Sequence, residues 1–265
     1  MADDLEAFFK VNPSSILVTI KMAKGSTPRP SGAWMLVSEA NSFETIGGGQ
    51  MEYLAIEHAR DMMDKAAPSL LELPLGPELG QCCGGFVELD FELLNEERRG
   101  EFLQDWTQKQ QQNPTVYVFG AGHVGNALCQ ALLLLPLHIV MIDSRQTQLQ
   151  QLPGESANCE HKHLAMPESI IASAPPHSAF VILTHDHAQD FLIAETALNR
   201  TDAIFVGIIG SVTKLEIFKR QFLENGNDPA LLDEFTCPIG AGGSKDKRPQ
   251  IIASLVAAEM VHRIF

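Results

Sequence analysis

Two stretches of this chain hold most of its chemical possibilities. The first is Gly120-Ala121-Gly122-His123-Val124-Gly125, which has the G-x-G-x-x-G spacing. Glycines so placed let the backbone approach a phosphate. A helix opening there adds N–H donors and partial positive charge. Asp143 lies 18 residues past Gly125, near where a dinucleotide site puts an acid on a ribose hydroxyl. Arg145 follows and suits a phosphate, so the spacing admits NAD and NADP alike. The second stretch is Gly80-Gln81-Cys82-Cys83-Gly84-Gly85. Vicinal thiols on a glycine loop can ligate a soft metal or take part in sulfur chemistry. Equally, Cys82 and Cys83 fit two small buried residues at a strand start.

Other stretches offer less. Thr184-His185-Asp186-His187, with Asp190 beyond it, reads either as a metal set for a zinc hydrolase or as a helix start capped by Asp186 or His185. Gly47-Gly48-Gly49 before a helix, and Gly210-Ser211 after a strand, each read as converging N–H groups for an anion or as tight turns needing positive φ. Cys129 falls in an apolar helix and Cys159 in a polar loop, both as structural residues. Cys237-Pro238-Ile239-Gly240 is a loop thiol that either faces the ligand edge or packs. Ser-His-Asp order and paired carboxylates do not stand out. His123 and His185 are available as acid–base groups, without a clear hydride-transfer pair.

These residues need elements to hold them. The β-branched run 15–20 and the apolar run 33–37 read as strands, 50–64 as a helix, 69–74 and 86–94 as strands, and 96–112 as a polar helix. Asn113-Pro114 marks a boundary. Beyond it the apolar runs 116–119, 138–142, 179–183 and 203–208 fit strands buried on both faces of a parallel sheet. Helical patterns lie at 123–135, 187–199 and 212–224, with a last one at 248–263. This alternation, with the glycine loop after the first strand, predicts a Rossmann-type doubly wound domain over 114–265. A smaller α+β domain is expected over 1–113.

Composition narrows the class. Among 265 residues 45% are hydrophobic and the formal net charge is −14, so the chain lacks the basic footprint of a nucleic-acid binder. An anionic ligand must therefore be held by local donors. Apolar runs are too short to span a membrane, and Met1-Ala2-Asp3-Asp4 lacks a basic leader start. Five Cys, two adjacent, point to reduced thiols in the cytoplasm rather than a disulfide framework.

Taken together, the chain resembles the xanthine dehydrogenase accessory protein family, XdhC/CoxI. The carriers in the first half are Gly25-Ser26-Thr27-Pro28-Arg29, Ile46-Gly47-Gly48-Gly49 with Glu52, and Gly80-Gln81-Cys82-Cys83-Gly84-Gly85. In the second half they are the Gly120–Gly125 loop, Ile142-Asp143-Ser144-Arg145, Thr184-His185-Asp186-His187 with Asp190, Ile208-Ile209-Gly210-Ser211 and Cys237-Pro238-Ile239-Gly240. Two places differ from the family's habit. Val212-Thr213-Lys214-Leu215-Glu216 stands where a basic stretch usually follows. Ala241-Gly242 replaces a Leu-Asp-Ile-Gly-like continuation.

The resemblance implies a molybdenum cofactor (molybdopterin) chaperone rather than an enzyme. Such a protein shields the cofactor while a cysteine desulfurase supplies a sulfido ligand. It then delivers the cofactor to a molybdenum hydroxylase such as xanthine dehydrogenase, and tends to be a homodimer. Its binding residues would come from Gly47, Gly48, Gly49, Cys82, Cys83, Gly120, Gly122, His123, Gly125, Asp143, Arg145, His185, Gly210 and Ser211, with Cys82 or Cys83 approaching the molybdenum. The alternative is an NAD(P)-dependent oxidoreductase using the glycine loop and Asp143.

Overall fold

The computed structural model describes residues 2–64, 67–76 and 84–265. The chain divides into two compact units, Met1–Lys109 and Gln110–Phe265.

The first unit is built on an antiparallel sheet. Its strands are β1 (Ser15–Lys24), β2 (Trp34–Val37), β3 (Ser42–Glu44), β4 (Leu70–Leu75) and β5 (Gly85–Leu94), in the order β3-β2-β1-β5-β4. Alternation along β1 decides its two faces. Ile16, Val18 and Ile20 pack with Met51, Ala55 and Ala59 of α2 (Gly49–Asp64). Leu17 points the other way, toward Leu5 and Phe8 of α1 (Ala2–Val11) and Phe102 and Trp106 of α3 (Glu96–Gln111).

The second unit holds a wholly parallel sheet. Its strands are β6 (Thr115–Phe119), β7 (His138–Asp143), β8 (Cys159–His163), β9 (Ala179–Ile182), β10 (Phe205–Ile208) and β11 (Phe235–Thr236), in the order β11-β10-β9-β6-β7-β8. The order reverses between β6 and β9, and ligands of open α/β sheets gather at such a point. Helices cover both faces. Leu128 and Leu132 of α4 (His123–Leu132) and Val256 and Met260 of α8 (Pro249–Ile264) pack on Val116 and Val118. Ile193 of α6 (His187–Leu198) and Phe218 and Phe222 of α7 (Val212–Glu224) pack on Phe119 and Phe180. This is the expected Rossmann arrangement; the antiparallel sheet belongs to the separate first unit.

One expectation is corrected. Cys159 does not lie in a loop; it opens β8, pairs with Ile139 and is fully buried. The strand hides in the sequence because Glu160, Lys162 and His163 are polar. An edge strand can expose most of its side chains and still complete a ladder. Among the described residues no helix is long and apolar enough to cross a membrane.

Candidate functional site: a glycine cradle between two helix starts

The three loop glycines have separate tasks. Gly120 takes φ +107°, and a Cβ there would sit 2.5 Å from the Leu183 carbonyl oxygen. It must be glycine for the loop to cross the end of β9. A Cβ on Gly125 would lie 1.9 Å from the Gly120 carbonyl oxygen, so Gly125 lets α4 pack against its own loop. Gly122 meets nothing within 4 Å. It is the place left open for something outside the loop.

Gly122 is also the N-cap of α4 and offers no side-chain cap. The first-turn N–H groups are therefore free to meet an anion, aided by the helix dipole. A groove of about 590 Å³ opens there, lined by Gly122, His123, Asn126, Gln151 and Gln250 among others. Its far wall is the start of α8, where Pro249 occupies the first turn and Arg248 caps without a side-chain hydrogen bond. Two helix starts thus flank one polar groove. Sequence reasoning missed Asn126, Gln151 and Gln250, because only tertiary packing, of α8 on α4 and of the turn after Leu149 on Asn126, brings them together. Lys245, Lys247 and Arg248 lead into α8. Arg248 is paired with Asp246 at 2.7 Å.

Asp143 occupies the expected strand end, but its acceptor positions are filled. Oδ1 accepts from the N–H and Nε of Arg145; Oδ2 accepts from the Ala121 N–H and a terminal nitrogen of Arg145, all at 2.8–2.9 Å. A carboxylate accepts about four such bonds, so a ribose hydroxyl would have to displace one. The hydride-transfer reading therefore needs Asp143 to give up a partner, and Arg145, though partly exposed, is engaged in holding Asp143. Burial pushes the Asp143 carboxyl up. The Arg145 guanidinium and the Ala121 and Arg145 N–H groups outweigh it and hold the carboxyl below its ordinary value of 3.8. The sign follows. The stabilisation is present above that value and is lost as pH falls through the lower folded value. Asp143→Asn is expected to lose about 1–3 kcal/mol at neutral pH. Urea unfolding of the two proteins at pH 7 and below pH 3 should show the difference closing in acid. A gap that persists there would contradict this account.

The histidine stretch resolves as a helix start. Asp186 caps α6, its side chain accepting from the Ala188 and Gln189 N–H groups. His185 and His187 are exposed. His185, Gly120, Asp143 and Thr184 share a recess of only about 10 Å³. Asp190 turns inward. It is 1% exposed, accepts from Thr184 Oγ1 at 2.6 Å and pairs with Lys214 Nζ at 2.5 Å. The metal reading of His185, His187 and Asp190 fails on this geometry. Among the described residues no group of three His, Cys, Asp or Glu could hold a metal ion.

Gly210 and Ser211 are likewise committed. A Cβ on Gly210 would meet Lys214 Cδ at 2.7 Å and Cys237 Sγ at 3.3 Å, and the Ser211 hydroxyl caps α7 by accepting from the Lys214 N–H. Cys237 Sγ lies 3.9 Å from the Ser211 carbonyl oxygen, and burial pushes its thiol up.

In the first unit, Gly47, Gly48 and Gly49 all have positive φ. The N–H groups around them do converge, but on Glu52. Its Oε2 accepts from Ile46 and Gly48, while Thr45 Oγ1 accepts from Gly47. Glu52 supplies the anion that this turn was expected to find in a ligand. Cys82 and Cys83 lie outside the described residues.

Comparison with known proteins agrees with this architecture. Residues 116–260 match the XdhC Rossmann domain and residues 12–74 the XdhC and CoxI family. The chain is 24% identical over 252 residues to YqeB, an uncharacterised protein of Escherichia coli strain K12. That alignment covers 90% of this chain and 41% of YqeB, so the chain spans less than half that relative's length. A crystal structure of a xanthine dehydrogenase from Bacillus halodurans superposes with a TM-score of 0.82 at 18% identity, covering 99% of this chain and 95% of that one; it shares the fold. With its own Rossmann unit and the segment before it both matched in chain order, the chain belongs to the XdhC and CoxI family.

Proposed function

We propose that this protein carries molybdenum cofactor for a molybdenum hydroxylase of the xanthine dehydrogenase kind, and that the groove at Gly122 cradles the cofactor's phosphate. The observation that carries the reading is the pairing of an uncapped α4 start with an open Gly122. The groove's volume lies in the range of small-molecule sites, and its amide and imidazole side chains can hydrogen-bond a pterin. Its donors are local, as an acidic chain requires. Membership of the XdhC and CoxI family supports a part in xanthine dehydrogenase maturation. In this reading the cofactor is cargo. A cysteine desulfurase supplies its sulfur while it is held, Cys82 or Cys83 approaches the molybdenum, and the carrier works as a cytoplasmic homodimer without turnover of its own.

The test is elemental and pterin analysis of the protein purified from a host that makes molybdenum cofactor. Molybdenum and pterin are expected together. Gly122→Ala adds a methyl group to open space, so stability should change by less than about 0.5 kcal/mol while retained pterin falls about tenfold. Protein that leaves such a host with neither molybdenum nor pterin would overturn the proposal. Equal retention by the variant would move the phosphate elsewhere.

A further inference from the structure

Cys129 and Cys159 are 30 residues apart in the chain, yet their Sγ atoms lie 3.8 Å apart. Cys129 belongs to α4 and Cys159 opens the edge strand β8; both are fully buried. His161, two residues along β8 and half-buried, places Nε2 3.9 Å from Cys159 Sγ. The arrangement is a thiol pair with an imidazole beside one member.

We propose that Cys129 and Cys159 form a reversible intrachain disulfide when the protein meets hydrogen peroxide, tying α4 to β8. A disulfide needs sulfurs about 2.05 Å apart, so the two must close by about 1.8 Å, through side-chain rotation and a small shift of the helix. The imidazole sets the order of events. His161 stands beside Cys159, where it can take that thiol's proton, so Cys159 is the nucleophile. Its neighbourhood offers an entry, because Cys159 closes a short turn with Ser156 at the sheet edge. Opening that turn admits a molecule little larger than water.

Cys159 gives its proton to His161, and its sulfur attacks one peroxide oxygen. The O–O bond breaks, and the departing hydroxide recovers the proton as water. Cys159 is left as a sulfenic acid. The Cys129 sulfur then attacks the Cys159 sulfur. The S–O bond breaks, and the hydroxyl leaves with the Cys129 proton as a second water. Two thiols lose two electrons, and one peroxide becomes two waters.

The bond would act at a sensitive place. α4 opens on Gly122, and Asn126 of the same helix donates to the Gln151 carbonyl oxygen across the groove wall. Drawing α4 toward β8 moves that wall. This consequence rests on the phosphate-cradle reading; the disulfide does not.

The experiment treats the full chain with hydrogen peroxide, alkylates remaining thiols in denaturant and digests without reduction. The expected product is a peptide pair joining Cys129 to Cys159. It should weigh about 2 Da less than the two free peptides together and separate on reduction. Cys129→Ala or Cys159→Ser should each abolish it, and one of the two suffices if the other does not fold. Recovery of both cysteines from the wild-type chain as alkylated thiols, or as separately over-oxidised peptides, would overturn the proposal. Pterin content is measured on the same samples. A cross-linked protein that never holds pterin argues against the cradle alone; a pterin-loaded protein without the cross-link argues against the disulfide alone.

Discussion

Gly125→Ala is expected to destabilise the C-terminal unit by about 3 kcal/mol or more. A Cβ at this position would stand 1.9 Å from the Gly120 carbonyl oxygen, and that atom is backbone. It can withdraw only if the loop or the helix moves. The loop is held on two sides: the Gly120 N–H donates to Ile142 at 2.7 Å, and the Leu183 N–H donates to Phe119 at 2.7 Å. Helix α4 is held by Leu128 and Leu132, both fully buried. The strain therefore falls on hydrogen bonds and packing together. Urea unfolding measures it. A cost below about 1 kcal/mol would show that loop and helix part easily, and the division of labour among the glycines would be wrong. The contrast with Gly122→Ala is the useful part. One substitution should damage the fold, and the other should spare the fold but damage the site.

The second large effect is expected at Lys214. Lys214→Met leaves the Asp190 carboxylate buried without its cation, at a cost of about 3–5 kcal/mol. Lys214 Nζ also donates to the Ile209 carbonyl oxygen at 3.0 Å, and Asp190 Oδ1 accepts from Thr184. The pair thereby ties the loop carrying His185 to the loop carrying Ser211, across the carboxyl ends of β9 and β10. Losing it should unfold the C-terminal unit at lower denaturant and speed amide exchange at residues 184–190 and 209–212. Asp190→Asn added to Lys214→Met removes the stranded charge. The double variant should cost less than the two single changes added together. Additive costs would mean that the two residues act separately.

The fold of the second unit could be read from residues because its strands are buried on both faces. Val116 to Phe119 and Ala179 to Ile182 are continuous apolar runs, and such runs have few other places to go. The glycine loop was legible for the same kind of reason: only glycine meets the backbone demands at Gly120 and Gly125. β8 was not legible, because one buried cysteine among polar residues gives no period. Nor was the groove. The start of α8 lies more than a hundred residues from Gly122, and nothing local in Pro249-Gln250 says which helix it will flank.

Sequence by itself thus determined the strands that are buried or alternate cleanly, the glycine loop and the family likeness. Each rests on local pattern, on backbone conformations that only glycine adopts, or on the order of short motifs. Tertiary structure decided which polar groups remain free. Asp143 looked like a ligand acid and is spent on Arg145 and the loop. Glu52 fills the turn at Gly47–Gly49, and Asp190 belongs to Lys214. Buried charge must find a partner wherever the fold supplies one. The partner sits two residues away for Asp143 and 24 away for Asp190, and spacing along the chain does not say which.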